Sequence, residues 1–265
     1  YVLVHTQNEI RVTSFTPCAF EVNLNERKPV VLPFGDGYRL VFGGIIDRVD
    51  TCTIGDNKYV RIIDYKSSKK FITSETLGSG INLQMLLYLF ASTDKGGIYD
   101  DCIPSGVLYS PVQISEKDIK ADDMKENSEN INVINSSLKT SGLVLSDYKV
   151  LDAMETNVKG NFIPVKFNKD GTMSKNQSSC ITKDGMKRLR EFAYRKLSEM
   201  AESLLEGDAE AEPLLIGKYL PCENCDYINI CDNSLMTRYR IPDEKSITEA
   251  EEILNLKTEE QEEIS

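Results

Sequence analysis

The chain has 265 residues, of which 40% are hydrophobic and 28% charged, a composition typical of globular proteins rather than disordered or fibrous ones. No apolar run approaches the length of a membrane span, and no signal peptide is visible. The net charge of −11 is concentrated at the C-terminal end: residues 201–265 hold 17 acidic and 5 basic side chains, whereas residues 1–200 hold 25 and 26. Because acidic and basic side chains nearly balance over residues 1–200, this part of the chain can carry a local basic surface. The chain begins at Tyr1, so we expect it to be a fragment of a longer protein.

The first half of the chain predicts a sheet with a helical crossover. Residues 10–24 are rich in β-branched and aromatic side chains and are expected to be extended. Residues 38–50 and 59–65 follow turn signals and predict two further strands, so that the three form an antiparallel meander. Residues 80–93 predict a helix and residues 105–112 another strand. A helix between two strands implies a crossover and therefore a mixed sheet.

The second half predicts fewer strands. Residues 115–147 are polar and are expected to form a surface excursion with short helical pieces. Residues 183–205 carry apolar side chains at helical spacing and predict a long amphipathic helix. We therefore divide the chain into a main domain (1–205), an irregular segment containing cysteines (206–240) and an acidic tail, either a frayed helix or disordered (241–265).

Two strands of the predicted sheet end in acidic residues. Asp47 follows Phe-Gly-Gly-Ile-Ile, and Asp64 follows Arg-Ile-Ile and precedes Lys66 by two positions. Residues two apart on a strand share a face, so Asp64 and Lys66 project together. Two carboxylates of this kind bind Mg²⁺ or Mn²⁺ and a lysine can orient water, which together suit phosphodiester hydrolysis. A surface salt bridge between Asp64 and Lys66 is the simpler alternative.

The predicted helix at 80–93 adds polar side chains to the same region. Gln84 and Tyr88 are four positions apart and lie on one helical face. A glutamine amide both donates and accepts hydrogen bonds and could therefore position a phosphate. A buried glutamine bonded to the backbone is the competing interpretation.

These segments together resemble a known family. Gly-Gly-Ile-Ile-Asp-Arg-Val-Asp (43–50), Ile-Asp-Tyr-Lys-Ser-Ser (63–68) and Gly-x-x-x-Gln-x-x-x-Tyr (80–88) are similar to the RecB-type branch of the PD-(D/E)XK nucleases, and within it to the nuclease domains of AddB-type helicase–nuclease subunits. The stretches at 106–111, 141–147 and 169–174 also fit. The resemblance implies a restriction-endonuclease-like α/β (α+β) fold, with a mixed central sheet flanked by helices.

The resemblance also implies roles for individual residues. Asp47, Asp64 and the backbone carbonyl of Tyr65 would bind the metal, Lys66 would complete the catalytic core, and Gln84 and Tyr88 would flank it. The family usually has a helix before the first strand, often with a His or an acid near the metal, and we expect this chain to begin too late to contain it. His5 is expected to be extended and is not assigned that role. Glu21, an acid on the first strand, is the remaining candidate.

Three cysteines fall within ten residues in the pattern Cys222-x-x-Cys225-x5-Cys231. Seven cysteines are an odd number for a disulfide framework and suit a reducing cytoplasm and a metal or cluster site. Zinc and 4Fe–4S sites both require four ligands. The resemblance implies a 4Fe–4S cluster completed by a distant upstream cysteine, so we expect the cluster to be absent from this fragment. Cys18 is the only other candidate near the start.

We therefore expect a metal-dependent DNA exonuclease that acts on single strands or unwound duplex ends. The resemblance implies an AddA-like helicase–nuclease partner and a role in double-strand break repair and recombination. A stand-alone Cas4-like exonuclease and a non-catalytic DNA-binding scaffold are the alternatives, and the intact set of Asp47, Asp64 and Lys66 argues against the second.

Overall fold

The structure is a computed structural model of the chain. It describes residues 1–27, 30–34, 37–114, 136–168, 173–174, 179–208, 210, 212–217, 221–231 and 239–256. The helices are α1 Val2–Val12, α2 Leu24–Arg27, α3 Ser74–Gly78, α4 Gln84–Thr93, α5 Tyr148–Met154, α6 Lys183–Leu205 and α7 Glu244–Leu254. The strands are β1 Thr16–Asn23, β2 Val30–Phe34, β3 Tyr38–Phe42, β4 Ile45–Ile54, β5 Asn57–Lys66, β6 Cys102–Pro111, β7 Ser141–Leu145 and β8 Cys180–Ile181. Within these ranges, no helix is both long and apolar enough to cross a membrane.

A mixed sheet of six strands forms the centre of the molecule, in the order β1-β4-β5-β6-β7-β8. The β1/β4 and β4/β5 pairs are antiparallel, as predicted for these three neighbouring strands, but β2 and β3 lie between β1 and β4 in the chain. The chain then crosses over through α3 and α4 to β6, which is parallel to β5. Strands β6 and β7 are antiparallel, and β7 and β8 are parallel. The predicted fold class, a mixed sheet flanked by helices, is confirmed.

The sheet is buried on both faces by two apolar cores. On β5 the neighbours Ile62 and Ile63 point to opposite faces, because side chains alternate along a strand. One core, which includes side chains of α4 and α6, contains Ile46, Val60, Ile62, Leu86, Phe90, Leu189 and Phe192. The other core, which includes side chains of α5, contains Phe15, Tyr59, Ile63, Leu108, Val144, Leu151 and Ile163.

The N-terminal residues differ from the expectation. Residues 2–12 form α1, so the helix before the first strand is present, and His5 lies in a helix rather than in an extended stretch. The contacts that hold α1 are distant in sequence: Glu9 pairs with Arg61 at 3.0 Å, and the Ser14 amide after the helix donates to Ala153 O at 2.7 Å. These partners are far away in sequence and cannot be inferred from local composition. From local composition alone, residues 10–12 are expected to belong to the first strand.

The segment at residues 38–50 is two strands instead of one. It bends at Gly43–Gly44 into β3, which pairs with β2 in a separate two-stranded sheet, and β4, which lies in the main sheet. Neither glycine has room for a side chain: a Cβ on Gly43 would lie 1.7 Å from Asn25 Oδ1, and one on Gly44 would lie 1.7 Å from Tyr88 Oη. Alternation along the sequence predicts extended backbone but cannot report which strand becomes the neighbour.

Three later expectations also change. The helix predicted at 80–93 is shorter and begins at Gln84. In the supposed excursion at 115–147, residues 115–135 lie outside the described part, while residues 141–145 form the buried strand β7. The terminal helix α7 is not frayed, because Ala250 and Ile253 are buried. The long helix predicted at 183–205 is confirmed as α6.

Candidate active site

The two predicted acids lie next to each other at one edge of the sheet. Strands β4 and β5 are paired up to Arg48 and Ile63, so one further step in register places Asp47 beside Asp64. The backbone amide of Tyr65 donates to Asp47 Oδ2 at 2.8 Å and fixes that carboxylate. Lys66 Nζ lies 2.6 Å from Asp64 Oδ2. The fold therefore brings together the three side chains that the sequence separates by up to 19 positions.

Asp64 as a residue is only 8% exposed, and over the described part of the chain its Oδ2 atom has no hydrogen-bond partner. The Lys66 ammonium is close enough for an ion pair, but its direction does not meet hydrogen-bond geometry. The Lys66 ammonium compensates this oxygen in part, and a buried carboxylate oxygen without a well-directed hydrogen bond can accept a further positive group. Oxygen ligands of this kind are those that a hard divalent cation prefers. The neighbouring carboxylates of Asp47 and Asp64 thus fit a cation, while the part expected of the Tyr65 carbonyl stays a prediction.

This ligand set is small. Over the described part of the chain, no three side chains of His, Cys, Asp or Glu come together in a group that could hold a metal ion. A set of two carboxylates and one backbone carbonyl, as expected from the sequence, would leave several positions of an octahedral cation to water and substrate.

Helix α4 contacts the bend that precedes Asp47. Gln84 Nε2 donates to Tyr88 Oη at 2.8 Å, and Tyr88 Oη donates to Gly43 O at 3.4 Å. Tyr88 is buried, whereas Gln84 is exposed at the start of the helix. The missing side chain at Gly44 makes room for the phenol. The structure therefore places both residues beside the β3–β4 bend, while their role at a metal stays a prediction.

Glu21 lies on β1 between the residue pairs Phe20–Arg48 and Val22–Ile46, so its register position is opposite Asp47. Its φ angle of 48° interrupts the regular strand, and the residue is exposed. A positive φ in a residue other than glycine is uncommon and often accompanies a functional position. Glu21 remains a candidate by position.

Sequence reasoning missed a buried charge network on the opposite face of the sheet. Arg48 Nε and Nη2 each donate to the Asp50 carboxylate at 2.7 Å. Arg61 donates to Asp50 Oδ2 at 2.9 Å and to Glu9 Oε1 at 3.0 Å. Arg48 Nη1 also reaches Tyr65 Oη at 3.5 Å and so connects the network to the residue between Asp64 and Lys66. The sequence feature that could have indicated this network is the presence of charged residues at strand positions expected to be buried.

A second missed residue is Tyr109, which pairs with Asp64 across β5 and β6. Burial and the nearby negative charge of Asp64 raise the pKa of Tyr109 to about 12. The phenol therefore stays protonated near neutral pH and borders the acid as a neutral group. The sequence placed Tyr109 on a strand but could not report its neighbour.

The cysteine segment is built differently. Cys222 and Cys231 are half-buried, Cys225 is exposed, and all seven cysteines of the chain are free thiols. Its backbone bonds are local, such as Cys225 N to Cys222 O at 3.2 Å and Cys231 N to Tyr227 O at 2.9 Å. Cys18 Sγ instead contacts Tyr99 Oη at 3.8 Å, just before β6. Three thiols alone do not fit a four-ligand cluster.

Comparison with known proteins agrees with this geometry. Residues 1–232 match the PD-(D/E)XK nuclease superfamily. The chain is also similar to bacterial proteins named as one subunit, AddB, of an ATP-dependent helicase/deoxyribonuclease. It is 32% identical over 234 residues to the protein of Thermoanaerobacter sp. (strain X514), covering 84% of this chain and 20% of that protein. For Clostridium novyi (strain NT) the identity is 32% over 261 residues, covering 95% and 23%.

The protein of Acetivibrio thermocellus (strain ATCC 27405) is 31% identical over 229 residues, with 84% of this chain and 20% of that protein covered. The chain thus spans about a fifth of the length of these relatives. The superfamily match covers most of the chain and includes the strands that carry Asp47, Asp64 and Lys66. The chain belongs to the PD-(D/E)XK nuclease superfamily.

Proposed function

We propose that this chain hydrolyses DNA phosphodiester bonds with a divalent metal ion, Mg²⁺ or Mn²⁺, at Asp47, Asp64 and Lys66. The observation that carries the proposal is the buried Asp64 carboxylate, which has one oxygen without a hydrogen bond and lies beside Lys66 and Asp47. Nucleases of this superfamily generally use divalent metal ions, and the relatives are named as deoxyribonuclease subunits.

The residues of the chain would divide the work by position. Asp47, Asp64 and the Tyr65 carbonyl would hold the metal, which when bound lowers the pKa of water and offsets phosphate charge. Lys66 would orient the attacking water or stabilise negative charge that develops on the phosphate. Gln84 can donate to a phosphate oxygen, and Tyr88 holds that amide through its 2.8 Å hydrogen bond. Glu21 would act from the neighbouring strand as a further acid.

We propose that the chain is the nuclease part of a longer subunit. Its matched relatives carry a helicase–nuclease name and are about five times longer, which supports a subunit over a stand-alone Cas4-like enzyme. An AddA-like partner would deliver single strands or unwound duplex ends during double-strand break repair and recombination in the cytoplasm. The neutral charge of residues 1–200 agrees with dependence on delivery, since few phosphate contacts mean weak binding by this chain alone.

The proposed domain division places the nuclease at 1–205, the cysteine segment at 206–240 and the acidic tail at 241–265. In the longer protein, Cys222, Cys225 and Cys231 would share a 4Fe–4S cluster with a cysteine outside this chain. Two observations support this proposal: the three thiols are free and lie in one short segment, and three thiols leave one ligand of a four-ligand cluster to be supplied.

The test is metal-dependent cleavage of linear single-stranded DNA by the parent chain and by Asp64→Asn and Lys66→Ala. We expect each variant to lose at least about 100-fold in rate, the usual consequence of removing a group that stabilises transition-state charge. Lys245→Ala, an exposed position on α7, is the matched control and should cleave like the parent.

Metal binding is measured separately by electron paramagnetic resonance of Mn²⁺, which reports the ion whether or not cleavage occurs. The Asp64→Asn variant should bind Mn²⁺ more weakly while its urea-unfolding midpoint shows that it is folded. Cleavage by folded Asp64→Asn at the parental rate would contradict the proposal.

A further inference from the structure

A second polar region lies at the same edge of the sheet as Asp64. Across the sheet Asp64 pairs with Tyr109, and Tyr109 pairs with Ser141. Two strand spacings correspond to about 10 Å. Lys139 precedes Ser141 by two positions, and the hydroxyl of Ser141 donates to Lys70 O, just beyond Lys66. The segment after Lys66 therefore contacts the segment that carries Lys139, through Ser141 and Ser136.

Lys139 lines an open cleft with a volume of about 450 Å³. Its other walls come from α1 through His5 and Asn8, from the loop at 160–162 through Asn161 and Phe162, and from Ser136. The lining is more polar than apolar, but it includes one aromatic pair: the rings of His5 and Phe162 lie 4.9 Å apart and are tilted by 50°. The cleft thus combines a cation, amide groups and an aromatic surface.

The positive charge of the cleft is concentrated. Lys139 is half-buried, and Lys69 and Lys166 are near enough to repel it; burial, more than this repulsion, lowers its pKa. Both Lys139 and Lys69 bond to backbone carbonyls, Lys139 Nζ to Val165 O at 3.4 Å and Lys69 Nζ to Ser136 O at 2.6 Å. A carbonyl does not neutralise an ammonium group, so these two bonds leave the charge of both lysines in place.

Glu155 is the acid that acts on Lys139, but its carboxylate is engaged elsewhere. It is 1% exposed and accepts from the backbone amides of Asn161 at 2.9 Å and Phe162 at 3.0 Å. A buried carboxylate with these bonds fixes the loop that carries Phe162. The wall of the cleft is therefore built in advance of any ligand.

We propose that this cleft, centred on Lys139 and Phe162, holds the sugar–phosphate backbone and one base of a single DNA strand beside the cleavage site. Single-stranded nucleic acid is bound by this combination of cations along the backbone and aromatic side chains under the bases. The proposal rests on the proposed function, because it takes the strand at Asp64 to continue into the cleft. Lys139 would contact a phosphate inside the cleft, and Lys69, bonded to Ser136 O at its rim, would contact the backbone between the cleft and Lys66.

The test uses binding rather than cleavage. In an Asp64→Asn background, fluorescence anisotropy measures the Kd of the 265-residue chain for a labelled 20-nucleotide oligothymidylate at several salt concentrations. Lys139→Ala should weaken binding and reduce the slope of log Kd against log salt by about 0.7, the value for one lost phosphate contact on a single strand. Phe162→Ala should weaken binding by at least about fivefold, because one stacked base is lost, and should leave the slope unchanged.

Lys139→Arg keeps the charge and should restore the slope, and Lys245→Ala should match its parent. Urea-unfolding midpoints establish that each variant is folded. Parental affinity and slope in both Lys139→Ala and Phe162→Ala would overturn the proposal, as would undetectable binding by the parent. The proposed function can fail separately from this proposal. If Asp64→Asn cleaves like the parent while Lys139→Ala reduces the salt dependence of Kd as expected, the strand-binding proposal is supported and the catalytic assignment is wrong.

Discussion

The sheet edge at Asp47 and Asp64 and the cysteine segment at residues 221–231 both carry a recognisable motif, yet they are built in different ways. At the sheet edge, meaning the end of β4 and β5 where the acids lie, each acid is on a strand that is paired on both sides. Strand β5, for example, contacts β4 and β6. In the cysteine segment, the backbone hydrogen bonds join residues three or four positions apart. Tyr227 and Ile230 within it are 68% and 82% exposed.

The difference shows what each motif requires in order to work. A carboxylate pair needs long-range strand pairing to bring Asp47 to Asp64, and the sheet supplies it together with a desolvated oxygen on Asp64. A thiol triplet can approach through local turns but still lacks a fourth ligand. The carboxylate pair is thus assembled by the fold itself, whereas the three thiols of the cysteine segment do not by themselves supply four ligands.

The largest effect on stability is expected from the charge network beneath the acids. Arg61→Met removes the guanidinium group that pairs with the buried carboxylates of Asp50 and Glu9. Because buried carboxylates are then left without this partner, the unfolding free energy should fall by about 3–5 kcal/mol. Urea denaturation followed by circular dichroism measures the change. Lys58→Met breaks the exposed pair with Asp101 and serves as the control, with no resolvable shift expected. A stability loss no larger than that of the control would show that the network does not hold the sheet.

A smaller effect is expected at the bend before Asp47. Gly44→Ala places a methyl group within 1.7 Å of Tyr88 Oη and should destabilise the fold by about 1–3 kcal/mol through overpacking. The same displacement should slow cleavage, because Tyr88 holds Gln84. A double-mutant cycle with Tyr88→Ala checks the cause, since the penalty of Gly44→Ala should shrink once the phenol is gone. An unchanged penalty would mean that the backbone, and not Tyr88, requires the glycine.

The smallest effect is expected in the cysteine segment. Replacing Cys222, Cys225 and Cys231 together by Ser should change the unfolding free energy of this chain by no more than about 0.5 kcal/mol, because the thiols are partly exposed and the segment is held locally. Cleavage by the triple variant should equal that of the parent. A marked loss of unfolding free energy or of cleavage rate would contradict the contrast between the two regions. It would mean that the cysteines stabilise the sheet.

Part of the site followed from local pattern. The apolar runs before Asp47 and Asp64 predicted strands that carry these acids, although Asp47 lies near the start of β4 and does not end its strand as expected. The two-residue spacing of Asp64 and Lys66 predicted a shared face, and Gln84 and Tyr88 do make a hydrogen bond at their four-residue spacing. These predictions hold because periodicity determines which way a side chain points on its own element.

Other features depended on partners far along the chain. Glu9 meets Arg61 across 52 positions, Tyr88 meets Gly43 across 45, and the Ser141 hydroxyl meets Lys70 across 71. No local window contains both members of such a pair, so the sequence missed helix α1, the bend at Gly43–Gly44 and the cleft at Lys139.

The sequence by itself thus determined the residue types of the candidate site, the strands that carry them and the superfamily resemblance, because these are written in short segments. Tertiary structure decided that Tyr109 borders Asp64, that β7 is buried within a polar stretch, and that α1 covers the charge network. The physical reason is that a sheet assembles strands from distant segments, and only their register settles which side chains share an environment.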